Sequence, residues 1–240
     1  MKTSILKHDF DKEYKTLVIC FSSQPEFDRQ EGGRFEWQGF FKDKNVKTLH
    51  LRDYNKAYYF GEWYDEAGSK IGSDVNSHVE FLSEIVRESE CNRLIMTGAS
   101  MGGFAAILYG VLLNANSIMS FNPQIYMDTN GSFASLSQGA FDNTNADDQK
   151  LYFDLTNLDY EKFDGTAYCH WGSHYIDEAH MKSMKEFCNK NKHLGGRKPE
   201  NASPDHKISI LKHGIGGHGH LCGRLRNMGY LEKYFERYAL

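Results

Sequence analysis

Six short stretches of the chain read as strands. They are Lys15–Phe21 (KTLVICF), Asn45–Asp53 (NVKTLHLRD), Arg93–Gly98 (RLIMTG), Asn116–Phe121 (NSIMSF), Gly165–Gly172 (GTAYCHWG) and His206–His213 (HKISILKH). Lys15–Phe21 and Arg93–Gly98 are apolar almost without a break and predict strands buried on both faces, as in a parallel sheet, while Asn45–Asp53 alternates through Val46, Leu49 and Leu51. Helical periodicity fills several of the gaps. Val75, Val79, Leu82, Ile85 and Val86 form one apolar face, with Ser73 or Asp74 placed to cap it. Further helices are predicted over Met101–Leu113 and Ile176–Cys188. A closing helix has Leu221, Leu225, Met228, Leu231 and Phe235 on one side. Strands alternating with helices imply an α/β fold with a mainly parallel sheet covered on both sides.

One segment breaks this rhythm. Asp128 to Asp164 is rich in Asn, Asp and Ser and contains one aromatic patch, LYFDL. A structureless loop of that length is uncommon inside a compact domain. It is read as an inserted cap or lid with helix of its own, after the fourth recognisable strand. An aromatic loop around Tyr58, Tyr59, Phe60, Trp63 and Tyr64 is read as packing rather than as a ligand platform.

Composition narrows the field. The chain has 240 residues, 40% of them hydrophobic, which suits a single domain over 1–240 with a large core. The net charge is −4 with no basic block, which points away from nucleic acid as the partner. No run approaches the roughly 18–20 apolar residues of a membrane span, and the first fifteen residues carry no signal-peptide core. Five irregularly spaced cysteines do not make a disulfide framework, so a reducing cytoplasm is the expected compartment.

The chemistry starts at Gly98-Ala99-Ser100-Met101-Gly102, a G-x-S-x-G pattern lying between a strand and a helix. The pattern has a mechanical reason. A nucleophilic serine must sit on a sharp turn with its hydroxyl above the sheet, and small neighbours allow the close backbone approach this needs. Gly103 adds another small residue where the helix packs on the sheet. The alternative is a turn with glycines for packing alone. From these residues on, the chain resembles the α/β-hydrolase superfamily. That resemblance implies a catalytic order along the sequence of serine, acid, histidine.

The histidine is therefore expected after the last strand, in KHGIGGHGHLCGRL. His218, following Gly216-Gly217, matches the superfamily's histidine loop and is the first choice as general base. His220 is the alternative, and His213 lies close to the strand end. A metal site built from His213, His218, His220 and Cys222 fits no usual zinc spacing, so neither metal nor cofactor is expected. The acid is expected after the fifth strand. Asp177 is the first choice, with Glu178 and Asp128 as alternatives; Asp177 is also placed to cap a helix. The fold implies two oxyanion donors, the Met101 amide and one from Ser22 or Ser23. The loop there, Ser22-Ser23-Gln24-Pro25, lacks the H-G-G signature of many lipases and esterases. The exit Phe121-Asn122-Pro123-Gln124 is expected to line the pocket or to begin the lid.

Together with that exit and the small size, the elbow is similar to the capsule polysaccharide O-acetyltransferases and to the acetyltransferase-like accessory secretion proteins. The resemblance implies hydrolysis or transfer of an acyl group, often acetyl, through a Ser100 acyl-enzyme. The expected partner is a small-molecule or carbohydrate acyl ester. A peptidase or amidase on the same scaffold, and a non-catalytic binding domain that keeps the fold, are the other classes considered.

Overall fold

The computed structural model describes residues 4–24, 35–53, 55–128, 134–195 and 207–240. Its centre is a seven-stranded sheet. In chain order the strands are β1 (Ile5–His8), β2 (Thr16–Phe21), β3 (Lys47–Leu51), β6 (Arg93–Ala99), β7 (Ser117–Phe121), β8 (Thr166–Trp171) and β9 (Ile208–Lys212). A separate two-stranded hairpin is formed by β4 (Trp63–Tyr64) and β5 (Lys70–Gly72). The spatial order of the large sheet is β1-β3-β2-β6-β7-β8-β9. Every pairing is parallel except that of β1 with β3.

All six predicted strands are present, each trimmed by a residue or two at its ends except β6, which extends to Ala99. Period-two geometry explains their composition. In β2, Leu17, Ile19 and Phe21 face one apolar cluster while Val18 and Cys20 face another. In β6, Leu94 and Met96 go one way and Ile95 the other. β2 has no solvent face, and from Leu17 to Phe21 it carries no charged or hydroxyl side chain; β3 is equally buried but keeps Thr48 and His50, which bond each other. The edge strand β1 was not anticipated. Only Ile5 in it is fully buried, so four residues leave almost no hydrophobic signature.

Helices cover both faces. On one side lie α2 (Val75–Glu88) and α3 (Met101–Leu112), with α3 buried along nearly its whole length. Asp74 caps α2 through a reciprocal pair with Ser77, as the sequence suggested. The other face carries α1 (Gln38–Phe41), α7 (Leu221–Asn227) and α8 (Tyr230–Tyr238), which pack Phe40, Phe41, Leu225, Leu231 and Phe235 against Val18, Ile95 and Met119. The closing helix is thus two helices, not one. Gly229 at φ 68° breaks it, and Met228, expected on the buried face, is 52% exposed at that break. A further helix, α6 (Tyr175–Lys190), follows β8.

Within the segment 128–164, residues 129–133 lie outside the described part. The rest contains α4 (Ala134–Asn143), α5 (Ala146–Tyr152) and two single 3₁₀ turns. It packs into the main core through Phe153, Leu155, Tyr160 and Phe163. The Asp148 carboxylate accepts from the Val75 N–H at the start of α2, joining segment to body. The aromatic loop is packing, as expected. Tyr58, Tyr59, Phe60 and Trp63 are buried. The loop is pinned by the buried Asp53 carboxylate, which accepts from the N–H groups of Asn55, Ala57 and Tyr59.

Candidate active site

The site forms at the carboxyl ends of β2, β6, β7 and β8 and in the loop after β9, where open parallel sheets present their ligands. β6 ends at Ala99 and α3 starts at Met101, leaving Ser100 alone to make the turn. Its backbone is at φ 54° and ψ −120°, a region that residues with a side chain rarely occupy. Two glycines make the turn feasible. A Cβ on Gly98 would lie 2.1 Å from the Gly102 carbonyl oxygen. One on Gly102 would lie 2.3 Å from the Phe21 carbonyl oxygen. Both obstacles are backbone, so neither position accepts a side chain without moving the elbow.

The structure brings the first-choice residues together. Ser100 Oγ is 2.8 Å from His218 Nε2. His218 Nδ1 is 2.6 Å from Asp177 Oδ1. The Asp177 side chain is 1% exposed and that of His218 is 18% exposed, so solvent reaches the imidazole and not the carboxylate. Asp177 is not the cap of α6. His174 is, accepting from the Ile176 N–H, and Asp177 sits in the first helical turn with its carboxylate turned to the histidine loop.

The alternatives lie elsewhere. Glu178 points to solvent, paired with Lys212 at 2.7 Å, and that ammonium holds its carboxyl below the usual range. His220 is exposed at the start of α7, and its side chain makes no capping bond there. His213 bonds His170 at 3.0 Å, and the two rings stack. Burial lowers the pKa of both, His170 more strongly, with the charge of His213 lowering it further. Asp128 lies near enough to His180 to act on its ionisation. His180 is one turn beyond Asp177; burial first, and then the charge of His218, bring it down to about 4. The histidines and Cys222 of the last loop do not form a ligand set. Among the described residues no group of three or more His, Cys, Asp or Glu could hold a metal ion.

Around the loop after β2 the expected oxyanion donors have other partners. The Ser22 N–H donates to the Leu51 carbonyl at 3.0 Å, extending the sheet, and so is committed. The Ser23 N–H and hydroxyl both donate to the Glu36 carboxylate, at 2.9 and 2.6 Å. Glu36 is itself anchored through its backbone. Its N–H donates to Ser22 Oγ and its carbonyl lies 2.8 Å from His50 Nδ1. A cavity of about 460 Å³ opens here, lined in part by Ser23, Glu36, Trp37, Ala99, Gly219 and Arg226. Ala99 precedes the serine and Gly219 follows the histidine, so the cavity adjoins both.

Two residues at the site were not singled out by their chemistry. One is Glu36, whose stretch carries no motif. The other is Asn122, part of the Phe121–Gln124 exit but given no role of its own. Asn122 stands at φ 46°, an unusual backbone state that asparagine tolerates better than most residues. Its side chain donates to the His218 carbonyl and accepts from the Gly172 N–H.

The sheet order, the helices on both faces and the strand–Ser100–helix turn define an α/β-hydrolase fold. No family model and no curated protein matches the sequence. Solved structures match the fold. The capsule O-acetyltransferase of Neisseria meningitidis serogroup A aligns over 97% of this chain and 89% of that one, at 16% identity and a TM-score of 0.62. In the CoA complex the match covers 96% of this chain and 89% of that one, at 17% identity and a TM-score of 0.60. An S-formylglutathione hydrolase from Agrobacterium tumefaciens covers 98% and 95%, at 14% identity and a TM-score of 0.58. A fluorophosphonate-binding serine hydrolase of Staphylococcus aureus covers 91% and 83%, at 10% identity and 0.53. Among the described residues no helix is long and apolar enough to cross a membrane.

Proposed function

We propose that the chain is a serine-dependent acyl-ester hydrolase or O-acyltransferase, with Ser100 as nucleophile, His218 as general base and Asp177 as the acid that orients it. The observation that carries this reading is the continuous hydrogen-bonded line from Ser100 through His218 to Asp177, ending on a serine held in a strained turn. Ser100 Oγ attacks the ester carbonyl while His218 Nε2 takes its proton. The buried Asp177 carboxylate keeps the imidazole in the required tautomer and stabilises its cationic form. The tetrahedral oxyanion is held by the Met101 N–H, a donor of the first helical turn, and by the Ser23 N–H once Glu36 releases it. His218 then returns the proton to the leaving alcohol, and an acyl-enzyme remains. In the second half-reaction His218 takes a proton from water or from an acceptor hydroxyl, which attacks the acyl carbonyl and frees Ser100.

Water gives an esterase and a sugar hydroxyl gives a transferase. The likeness to a capsule O-acetyltransferase that is also seen in complex with CoA supports O-acetyl transfer, with an acetyl thioester of CoA as the candidate donor. The cavity beside Ala99 and Gly219, with Trp37, Glu36 and Arg226 in its wall, supplies the aromatic and polar surface such a substrate needs. A fluorophosphonate probe is expected to label Ser100, and Ser100→Ala to abolish the labelling; undiminished labelling of that variant overturns the nucleophile. Short-chain esters and acetyl-CoA, each offered with and without oligosaccharide acceptors, separate hydrolysis from transfer.

A further inference from the structure

We propose that Asn122 is a positioning residue that holds the acid loop and the histidine loop in register, an inference that rests on the assignment of Asp177 and His218 above. The end of β7 touches all three parts of the site. The Phe121 carbonyl accepts from the Ser100 N–H at 2.8 Å. The next residue, Asn122, uses its own N–H on the His170 carbonyl at 2.6 Å, which fixes its backbone to β8. Its side-chain amide then works at both ends. Oδ1 accepts from the Gly172 N–H at 2.8 Å, five residues before Asp177. Nδ2 donates to the carbonyl of His218 itself at 2.5 Å.

Asn122 is 2% exposed and its bond to Gly172 is buried, which shields the amide from water. Among the described residues, the His218–Asp177 bond and Ser173 also join the two loops. Ser173 reaches the Gly216 carbonyl only at 3.3 Å from its hydroxyl and 3.4 Å from its N–H. The role also requires the amide. One end must donate and the other accept, so neither a carboxylate nor an aliphatic side chain serves both. The backbone at φ 46° further favours asparagine or glycine. Asn122 touches no reacting atom. It acts by fixing the carbonyl of the residue whose imbalance in position matters most, since a displacement of about 1 Å can cost about 100-fold in rate.

The test compares Asn122→Gly and Asn122→Asp with the unaltered protein. Glycine accepts the backbone angle and deletes both side-chain bonds. Aspartate keeps the shape and the acceptor for Gly172 but cannot donate to His218. Three readouts are taken: kcat and KM on a short-chain ester, the unfolding midpoint, and the low-field proton resonance of the His218–Asp177 hydrogen bond. Both variants are expected to lose on the order of 10- to 100-fold in kcat, with KM within about twofold. The low-field resonance is expected to shift or broaden in both. Wild-type kcat and an unchanged resonance in Asn122→Gly overturn the proposal. If glycine unfolds the chain, Asn122→Asp decides by the same measures. If the unaltered protein turns over no ester and escapes the fluorophosphonate probe, the functional assignment fails, and the resonance still decides the role of Asn122.

Discussion

His218 Nε2 and Ser100 Oγ lie 2.8 Å apart although 118 positions separate them in the chain. The proposed roles of the two histidines in the last loop rest on that hydrogen bond. His218→Ala is expected to lower kcat/KM for ester hydrolysis by about three orders of magnitude or more. His220→Ala, whose exposed side chain makes no capping bond, is expected to stay within a few-fold of the parent. Steady-state kinetics on the same ester check both, and a costly His220→Ala reverses the assignment.

The acid is tested in the same way. Asp177 is buried against His218, whereas Glu178 is exposed and bound to Lys212. Asp177→Asn is expected to reduce kcat by about 10⁴-fold, because an amide favours the wrong imidazole tautomer. Glu178→Gln is expected to leave the rate nearly unchanged. A large loss in Glu178→Gln with little in Asp177→Asn moves the acid to the neighbouring position.

The three residues that meet here are singled out in the sequence because the chain order of the superfamily it resembles names their positions. Once Gly98–Gly102 is placed between a strand and a helix, that order puts an acid and a base after later strands, and few residues qualify. The doubly buried strands were equally plain, since β2 and β6 have no polar face to confuse the pattern. Other parts depend on relationships that have no local signature. β1 has one buried side chain in four residues. The break at Gly229 is hidden because apolar residues recur at helical spacing on both sides of it. Asn122 bonds only main-chain groups of Gly172 and His218, which the fold brings close and the sequence does not. Glu36 is likewise defined by what it meets, the Ser23 amide and hydroxyl.

Glu36 yields a prediction with a definite sign. Its carboxylate occupies the Ser23 N–H proposed as an oxyanion donor, while its backbone is held separately by Ser22 and His50. Glu36→Ala therefore frees the donor without releasing the segment. One oxyanion donor is worth about 10²–10³ in kcat, which bounds the gain. A rise of a few-fold up to about tenfold in the rate of fluorophosphonate labelling is expected. A fall in that rate removes Ser23 from the oxyanion site and makes Glu36 its support.

The elbow stores strain, and the strain is measurable. Ser100 holds φ 54° and ψ −120°, where strained residues cost about 1–3 kcal/mol. Ser100→Gly and Ser100→Ala both remove the nucleophile, but only glycine relaxes at those angles. Ser100→Gly is expected to be the more stable by about 1 kcal/mol in urea unfolding. Equal midpoints for the two variants mean that the turn is unstrained. Gly102→Ala places a methyl group 2.3 Å from the Phe21 carbonyl oxygen and is expected to cost about 3 kcal/mol or more.

Buried histidines set the pH range over which the fold is stable. Burial brings His50, His78 and His180 from 6.5 down to about 4. In the folded chain they are neutral where the unfolded chain already binds protons. Stability from this source is complete above about pH 6.5 and is lost as the pH falls from there toward 4. His78 offers the cleanest test. It stacks on Trp63 at 3.9 Å and bonds the Tyr109 hydroxyl at 3.0 Å, away from Ser100 in the sheet's aromatic core. His78→Asn removes one titrating group. The unfolding free energy, followed by urea titration between pH 6 and 4.5, is expected to fall less steeply by up to about 1.4 kcal/mol per pH unit. An identical slope in the variant shows that His78 is protonated to the same extent in the folded and unfolded chains.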